Sequence, residues 1–300
     1  MIRLCMFSSL ATLLATLPAS AAAPDCRDTV AAFEFWRPVR EQAEQTMAAA
    51  DELAPELVGC LASPDPELRD TIAYELFTRW LRGETLSNDT RALLLKALET
   101  RLADTGGNAV LARSFAALVL AELMRSDAVR PFMTDADRES LLTLASAALA
   151  GESDYRGLDG EVGWVHPVAH MADLLWRFAL HPATSADQAR VLLDAVSAKV
   201  APPGVSYSFN EGDRLARVVA TIVRRELLPP AEVAAWLRRY AAPQMMDRWS
   251  AAFRSRAGMA ELHDTKQFLR ALSDQLDGDG IAPEISAVLG ELVQGFTQLI

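Results

Sequence analysis

Residues 163–176 read GWVHPVAHMADLLW, an apolar run that carries two histidines four positions apart and an aspartate three positions further on. The spacing of its apolar residues matches one face of an α-helix, because positions three and four apart lie on the same side. That apolar side holds Trp164, Val168, Met171, Leu175 and Phe178. The narrow opposite side, which we call the polar strip, holds His166, His170, Asp173 and Arg177. We therefore predict a largely buried helix with one polar strip.

Amphipathic helices are predicted on both sides of this run. Short polar residues and prolines precede apolar-periodic segments, as in SPDPE at 63–67, and such residues favour the starts of helices. No segment alternates apolar and polar residues over a useful length, so we predict no β-strand. The predicted fold class is therefore all-α.

The predicted helices come in pairs, and the first members of the pairs begin at regular intervals. They begin near Pro64, Asn108, Gly163 and Asn210. Two-helix repeats of about 40–47 residues are typical of HEAT and armadillo solenoids. The longest interval contains the loop GESDYRGLDGEVG at 151–163, and insertions of this kind gather on one face of a solenoid. We predict an α/α superhelix of the HEAT/ARM-like kind, with a non-repeating helical bundle as the alternative.

The first 21 residues have the features of a cleavable signal peptide. Arg3 precedes an apolar run over 4–17, and Ala19-Ser20-Ala21 ends the segment with small residues. The run is shorter than a membrane-spanning helix requires. We therefore expect an exported protein, periplasmic or secreted, with no stable membrane insertion after cleavage.

Four segments follow from these patterns. Residues 1–21 are the predicted signal peptide, and 22–62 form N-terminal helices. Residues 63–242 form the predicted helical-repeat domain. Residues 243–300 form a C-terminal helical extension that we expect to cap the stack, as terminal helices of solenoids do.

The charge and the cysteines of the chain restrict its partners and its compartment. A formal net charge of −11 argues against nucleic acid as a partner. Removal of the signal peptide removes Cys5 and leaves Cys26 and Cys60. In an oxidising compartment we expect these two to form a disulfide, which could stabilise the fold by about 3–4 kcal/mol. Two unpaired buried thiols are the alternative.

Three interpretations of the polar strip compete. In the first, His166 and His170 hold a divalent metal, since residues four apart lie one helical turn apart. Pro167 stands where the thermolysin-type motif has its glutamate, which excludes that protease chemistry. A different metal site would need another ligand, such as Asp159 or Glu161.

In the second interpretation, the strip lines a groove for a small molecule, a peptide or a protein. The groove residues would be Tyr155, Arg156, Trp164, His166, His170 and Asp173, with Glu75, Arg79 and Arg113 nearby. In the third, the strip is structural: His166 caps the helix, His170 bonds a backbone carbonyl, and Asp173 pairs with an arginine such as Arg113.

Four segments together resemble a known family. They are SPDPELRDTIAYELFTRWL, ARSFAALVLAEL, YRGLDGEVGWVHPVAHMADLLW and FNEGDRLARVV, which lie within residues 61–228. In them the chain resembles the bacterial family catalogued as domain of unknown function 2785. The resemblance implies a helical, HEAT-like fold and implies no activity. The family pattern includes the positions of Trp164, His166, His170 and Asp173, which favours a functional polar strip.

We therefore expect an exported helical-repeat protein that acts as a ligand- or protein-binding module. The first alternative is a hydrolase-type or metal-dependent enzyme, with His170 as a general base oriented by Asp173, or with a metal on both histidines. The second alternative is a purely structural scaffold. The sequence contains no G-x-S-x-G, phosphate-loop or C-x-x-C motif.

Overall fold

A computed structural model describes residues 23–42, 49–106, 109–278 and 280–299. The predicted signal peptide, residues 1–21, lies outside the described residues. The α-helices are α1 Thr29–Glu41, α2 Ala50–Leu57, α3 Glu75–Arg82, α4 Asn88–Leu102, α5 Val110–Val129, α6 Asp135–Gly151, α7 Pro167–Leu180, α8 Ala186–Ser197, α9 Glu211–Arg224, α10 Pro230–Arg238, α11 Arg256–Leu276 and α12 Pro283–Gln298. The prediction of an all-α protein is confirmed.

The helices are arranged in two rows. Helices α3, α5, α7, α9 and α11 form the first row, in which each packs against the next. In the second row α2 packs against α4, α4 against α6 and α6 against α8, while α10 packs against α12. The rows contact each other through pairs such as α4 with α5 and α6 with α7. Most of the described helices therefore lie beside the helix two positions away in the chain.

Local sequence signals explain where several of these helices begin. Ser87 at the start of α4 accepts a hydrogen bond from the backbone N–H of Thr90. Thr134 and Ser185 form capping boxes at the starts of α6 and α8. Such caps satisfy N–H groups that have no partner within the helix. The helix that leads into α3 is π-helical over Glu67–Tyr74.

A single apolar core runs through the described residues. It extends from Cys26 beside α1 to Phe296 in α12. Cys26 and Cys60 form a disulfide with their Cα atoms 5.0 Å apart. The bond ties the segment before α1 to the 3₁₀ turn Val58–Ala62. No helix among the described residues combines the length and the apolar character needed to cross a membrane.

The loop before α7 folds into a small hairpin that the sequence did not predict. Strand β1, Leu158–Asp159, pairs antiparallel with strand β2, Gly163–Trp164. Arg69, which is fully buried, fastens the hairpin by donating to the carbonyl oxygens of Val162 at 2.9 Å and Trp164 at 3.1 Å. The strands are two residues long, which is too short for an alternating pattern to show in the sequence.

The hairpin also places Trp164 differently from the prediction. Helix α7 begins at Pro167, so Trp164 lies in β2 and not on the apolar side of the helix. Its side chain is 43 % exposed. The helical spacing used in the prediction therefore does not describe the position of Trp164.

Candidate functional site

His166 lies at the junction between the hairpin and α7, in a left-handed backbone conformation with φ 44°. This conformation is uncommon for residues other than glycine, and it persists where the surroundings enforce it. Here the backbone N–H of His166 donates to the carbonyl of Arg156 at 3.0 Å. The ring is 7 % exposed, stacks on Trp164 and places Nε2 3.6 Å from Glu211 Oε1. The left-handed backbone at His166 thus places this imidazole next to Glu211 of α9.

His170, one turn further along α7, is held in one tautomer by Ser114 of α5. The Ser114 hydroxyl donates to the carbonyl of Val165, and its oxygen lies 2.7 Å from His170 Nδ1. Since a hydroxyl has one proton, Nδ1 must carry the hydrogen of the second bond. Nε2 is then the basic nitrogen. Burial, reinforced by the neighbouring charges of His166 and Arg214, lowers the pKa of His170 well below 6.5, so the ring is neutral.

Asp173 pairs with arginines of the next helix in the row. Its Oδ2 accepts from Arg214, and its Oδ1 lies 3.6 Å from Arg217. Burial raises the pKa of Asp173, and the two arginines oppose that rise. The expected pairing with Arg113 is wrong, because Arg113 instead forms a two-pronged ion pair with Glu152.

Asp173 also does not orient His170 as the enzyme interpretation required. The hydrogen-bond partner of the His170 ring is Ser114 on α5, and Asp173 faces α9. The two residues share one face of α7, but each is fixed by a different neighbouring helix. Helical spacing alone could not show which partners lie across from them.

Arginines from four consecutive helices of the first row surround the polar strip. We call this surface the arginine face; it consists of Arg82, Arg125, Arg177, Arg214 and Arg217, together with Glu122, Asp173 and Trp176. Buried Glu122 accepts from Arg82 at 2.7 and 2.8 Å and lies 3.6 Å from Arg177. Burial and the nearby charges of Arg82 and Arg125 lower the pKa of Arg177, although Glu122 opposes them. The face is therefore crowded with positive charge.

Trp176 provides a flat aromatic surface between two of these arginines. The guanidinium carbons of Arg177 and Arg217 lie 4.7 Å and 4.9 Å from its ring, within cation–π distance. Its Nε1 donates to Thr221 at 3.1 Å, which fixes the ring on α9. A cleft of about 520 Å³ opens beside it. The cleft is lined by Trp176, Leu180, Asp213, Arg217, Thr221, Arg224, Arg225 and Gln275.

Tyr155, Arg156 and Arg113, predicted for the groove, instead hold the loop before α7. Tyr155 accepts from Lys199 at 3.0 Å, and Arg156 pairs with Asp154 at 2.6 Å. Arg113 fixes the start of the same loop through Glu152, as described above. The side chains of these three residues bind groups of the loop and its flanks, whereas the backbone carbonyl of Arg156 contacts His166 of the polar strip.

Glu75 and Arg79, also predicted, belong to the α3 end of the first row. Glu75 pairs with Arg40 of α1 at 2.9 Å and lies 3.5 Å from Arg79. Both side chains are partly exposed beside Tyr74 and Thr78.

The two histidines do not form part of a metal centre within the described residues. No group of three or more His, Cys, Asp or Glu is arranged there to hold a metal ion. The ring centroids of His166 and His170 lie 5.7 Å apart with planes inclined by 62°. One ring faces Glu211, and the other is bound through Nδ1 to Ser114.

Sequence reasoning missed most of the residues that complete the site. Glu122, Arg125 and Arg217 received no role, because they lie on helices other than α7. The spacing of Glu211, Arg214 and Arg217 could have indicated one polar face of α9, since residues three apart lie close together on a helix.

Comparison with known proteins identifies a family and no characterised relative. Residues 98–273 match the family model described as "Protein of unknown function (DUF2785)". The match begins and ends further along the chain than the four segments quoted above. No curated protein matches the chain, and no solved structure does.

Proposed function

We propose, from the premise that the chain belongs to the DUF2785 family, that it is an exported helical-repeat protein whose arginine face binds an anionic ligand. The two rows of helices support a HEAT-like solenoid, because each repeat of a solenoid contacts its neighbours. The composition of residues 1–21 and the Cys26–Cys60 disulfide support export to an oxidising compartment.

One observation carries the binding proposal: the charge of the arginine face is opposite to that of the chain. The chain has a formal net charge of −11. The arginine face, in contrast, combines five arginines with two carboxylates, Glu122 and Asp173. An excess of guanidinium groups on one face of an acidic protein attracts a ligand of negative charge and orients it there.

The chemistry of the face indicates the kind of anion. Guanidinium groups bind carboxylate and phosphate oxygens in a two-pronged geometry. Trp176 and Leu180 add an apolar surface beside Arg217. A ligand that joins an oxyanion group to a flat or apolar body would use both features. The cleft volume of about 520 Å³ is within the range of small-molecule sites.

A thermal-shift screen tests this proposal. The panel contains aromatic and aliphatic carboxylates, phosphorylated compounds, acidic peptides and neutral analogues of each. We expect oxyanion compounds to raise the melting temperature of the wild-type protein, since a ligand that binds the folded state stabilises it. The neutral analogues should leave the melting temperature unchanged. Equal shifts from charged and neutral compounds, or no shift from any oxyanion, would contradict the proposal.

Arg217→Gln provides the variant for the screen, and Arg190→Gln provides its matched control. Arg190 in α8 also pairs with carboxylates, Asp187 and Glu232, but lies away from the arginine face. We expect Arg217→Gln to reduce the shift and Arg190→Gln to preserve it. This pair separates binding at the face from a general effect of net charge.

A hydrolytic enzyme remains the second candidate because of the geometry of His170. Its neutral ring, with the proton on Nδ1, presents Nε2 as a base, which is the form needed in general base catalysis. An ester and amide hydrolysis screen with wild type and His170→Asn tests it. Turnover that His170→Asn abolishes would favour the enzyme, and turnover by neither protein would leave the binding proposal in place.

A further inference from the structure

A second cavity, which is lined by carboxylates rather than by arginines, lies where the segment before α9 meets α11. Its volume is about 300 Å³. It is lined by Tyr207, Ser208, Asn210, Glu211, Gly212, Asp213, His263, Asp264 and Gln267. Three of these residues are carboxylates, and none is a lysine or an arginine. An anionic ligand of the arginine face would not bind in this cavity, because the carboxylates would repel it.

Asp264 in the wall of the cavity has an oxygen without a partner. The residue is 1 % exposed, and its Oδ1 accepts the backbone N–H of Tyr207 at 2.9 Å. Its Oδ2 is buried and has no hydrogen-bond partner. Leaving a buried acceptor without a hydrogen-bond donor is unfavourable, and more so when the group is charged. Burial, with the charge of Glu211 adding to it, raises the pKa of Asp264 to about 7.

Burial would raise the pKa of the neighbouring carboxylate, Glu211, but the hydrogen bonds and the imidazole around it lower that pKa. Glu211 Oε2 accepts the backbone N–H of Phe209 at 2.9 Å. Its Oε1 lies 3.6 Å from His166 Nε2, which has no hydrogen-bond partner of its own. The cavity therefore combines the negative charge of Glu211 with the unpartnered oxygen of Asp264.

We propose that this cavity binds a protonated primary amine, whose N–H groups supply the missing partner of Asp264 Oδ2. An ammonium group has three donors and one positive charge, so it matches several acceptors at once. A divalent metal is a poorer match, since no group of three or more potential ligands is arranged for one in the described part of the chain. The inference is separate from the anion proposal, although Asp213 borders both spaces.

The amine has two chemical sources: a free diamine, or the lysine side chain of a peptide. Calorimetric titration of the purified protein with cadaverine and with Nα-acetyl-lysine amide compares them. The tighter binder identifies the source, and either one supports the cavity as an ammonium site. Tetramethylammonium, which has the charge without N–H donors, and n-butanol, which has no charge, serve as reference compounds.

Asp264→Asn is the decisive variant, because it keeps the shape and the acceptor for Tyr207 while removing the charge. We expect it to weaken binding of the better amine by about tenfold or more. Asp274→Asn, an exposed aspartate on the same helix, should bind as the wild type does. The proposal is overturned if neither amine binds the wild type at about 10 mM. It is also overturned if Asp264→Asn binds equally well, or if tetramethylammonium binds as tightly as the amines.

A measurement on the wild-type protein avoids dependence on the folding of the variant. The ¹³C resonance of the Asp264 carboxyl reports its ionisation, and a bound ammonium group favours the charged form. We expect saturating amine to move this resonance toward the ionised position at pH 6. An unchanged resonance under conditions where calorimetry detects binding would place the amine elsewhere and overturn the assignment.

Discussion

The contacts of each residue in the polar strip are set by the loop or helix that packs against it. His166 and His170 lie one turn apart, yet the hairpin fixes the backbone of the first and Ser114 fixes the ring of the second. Asp173 faces neither, because Arg214 and Arg217 bind it from α9. The structural interpretation of the strip assigned partners other than those observed, because His166 makes no side-chain cap bond and His170 bonds the Ser114 hydroxyl. It does not explain why so many arginines gather beside Asp173.

His170 should remain neutral with its proton on Nδ1 throughout the pH range around neutrality. Its pKa lies well below 6.5 because burial, together with the charges of His166 and Arg214, disfavours the protonated ring. Long-range ¹H–¹⁵N NMR spectra distinguish the two nitrogens and follow their titration. We expect an Nδ1–H tautomer with no titration near pH 6.5. In Ser114→Ala the tautomer preference should weaken; an Nε2–H tautomer in the wild type would contradict the assignment.

Gly157 in the hairpin should not tolerate a side chain. A Cβ added there would lie 2.0 Å from the ring of Phe209, a distance that forces the ring or the loop to move. We expect Gly157→Ala to lower the free energy of unfolding by about 1–3 kcal/mol, as overpacking does. Urea denaturation measures the change. Gly160→Ala is the matched control, because it meets nothing within 4 Å in the same hairpin; equal losses in both would refute the packing argument.

At the scale of elements, the helices were predictable and the way they meet was not. Helix starts at Ser87, Thr134 and Ser185 follow from capping residues that act within one turn. The arginine face depends on contacts among α3, α5, α7 and α9, which no local pattern encodes. The hairpin depends on Arg69, whose contacts lie about 95 residues along the chain.

The end of α5 depends on one buried carboxylate. Asp127 accepts the backbone N–H groups of Phe132 and Met133 and pairs with Arg138 at 2.9 Å. Burial alone would raise its pKa, but these bonds and that of His181 lower it to about 2. Because the folded pKa lies below its ordinary value of 3.8, the ion contributes stability above about pH 4 and loses it as the pH falls toward 2.

Asp127→Asn should therefore destabilise the protein in a pH-dependent way. We expect the loss in free energy of unfolding to be about 2 kcal/mol or more at pH 7 and to shrink as the pH falls from 4 to 2. Urea denaturation across this pH range measures it, with Asp274→Asn as the exposed control. A loss that is constant with pH would show that the carboxylate charge does not matter.

At the scale of the whole molecule, the net charge of the chain and the local charge of the arginine face predict ligands of different charge. The formal charge of −11 favours a cationic or neutral ligand, and the cavity beside Asp264 agrees with that expectation. The arginine face does not, because its charges come from helices spread along the chain and meet only in the folded protein. Composition can thus predict the average charge of the surface, whereas the charge of a binding face depends on which helices lie side by side.

The arginine face is formed by several helices of the first row rather than by a single helix. Arg82, Arg177 and Arg217 come from α3, α7 and α9, and Glu122 of α5 connects the first two. In the solenoid arrangement that we propose, the surface formed by successive repeats is the usual place for ligands and partners. We expect a ligand on the face to contact at least two helices.

The most direct test of the arginine face is an NMR titration with citrate that follows the arginine Nε–Hε resonances. If an oxyanion binds there, the resonances of Arg177, Arg214 and Arg217 should shift in a saturable way, and that of Arg190 should not. Added salt should weaken the effect, since it screens exposed charges. Shifts of equal size at Arg190, or no saturable shift at the three face arginines, would contradict the proposed anion-binding function.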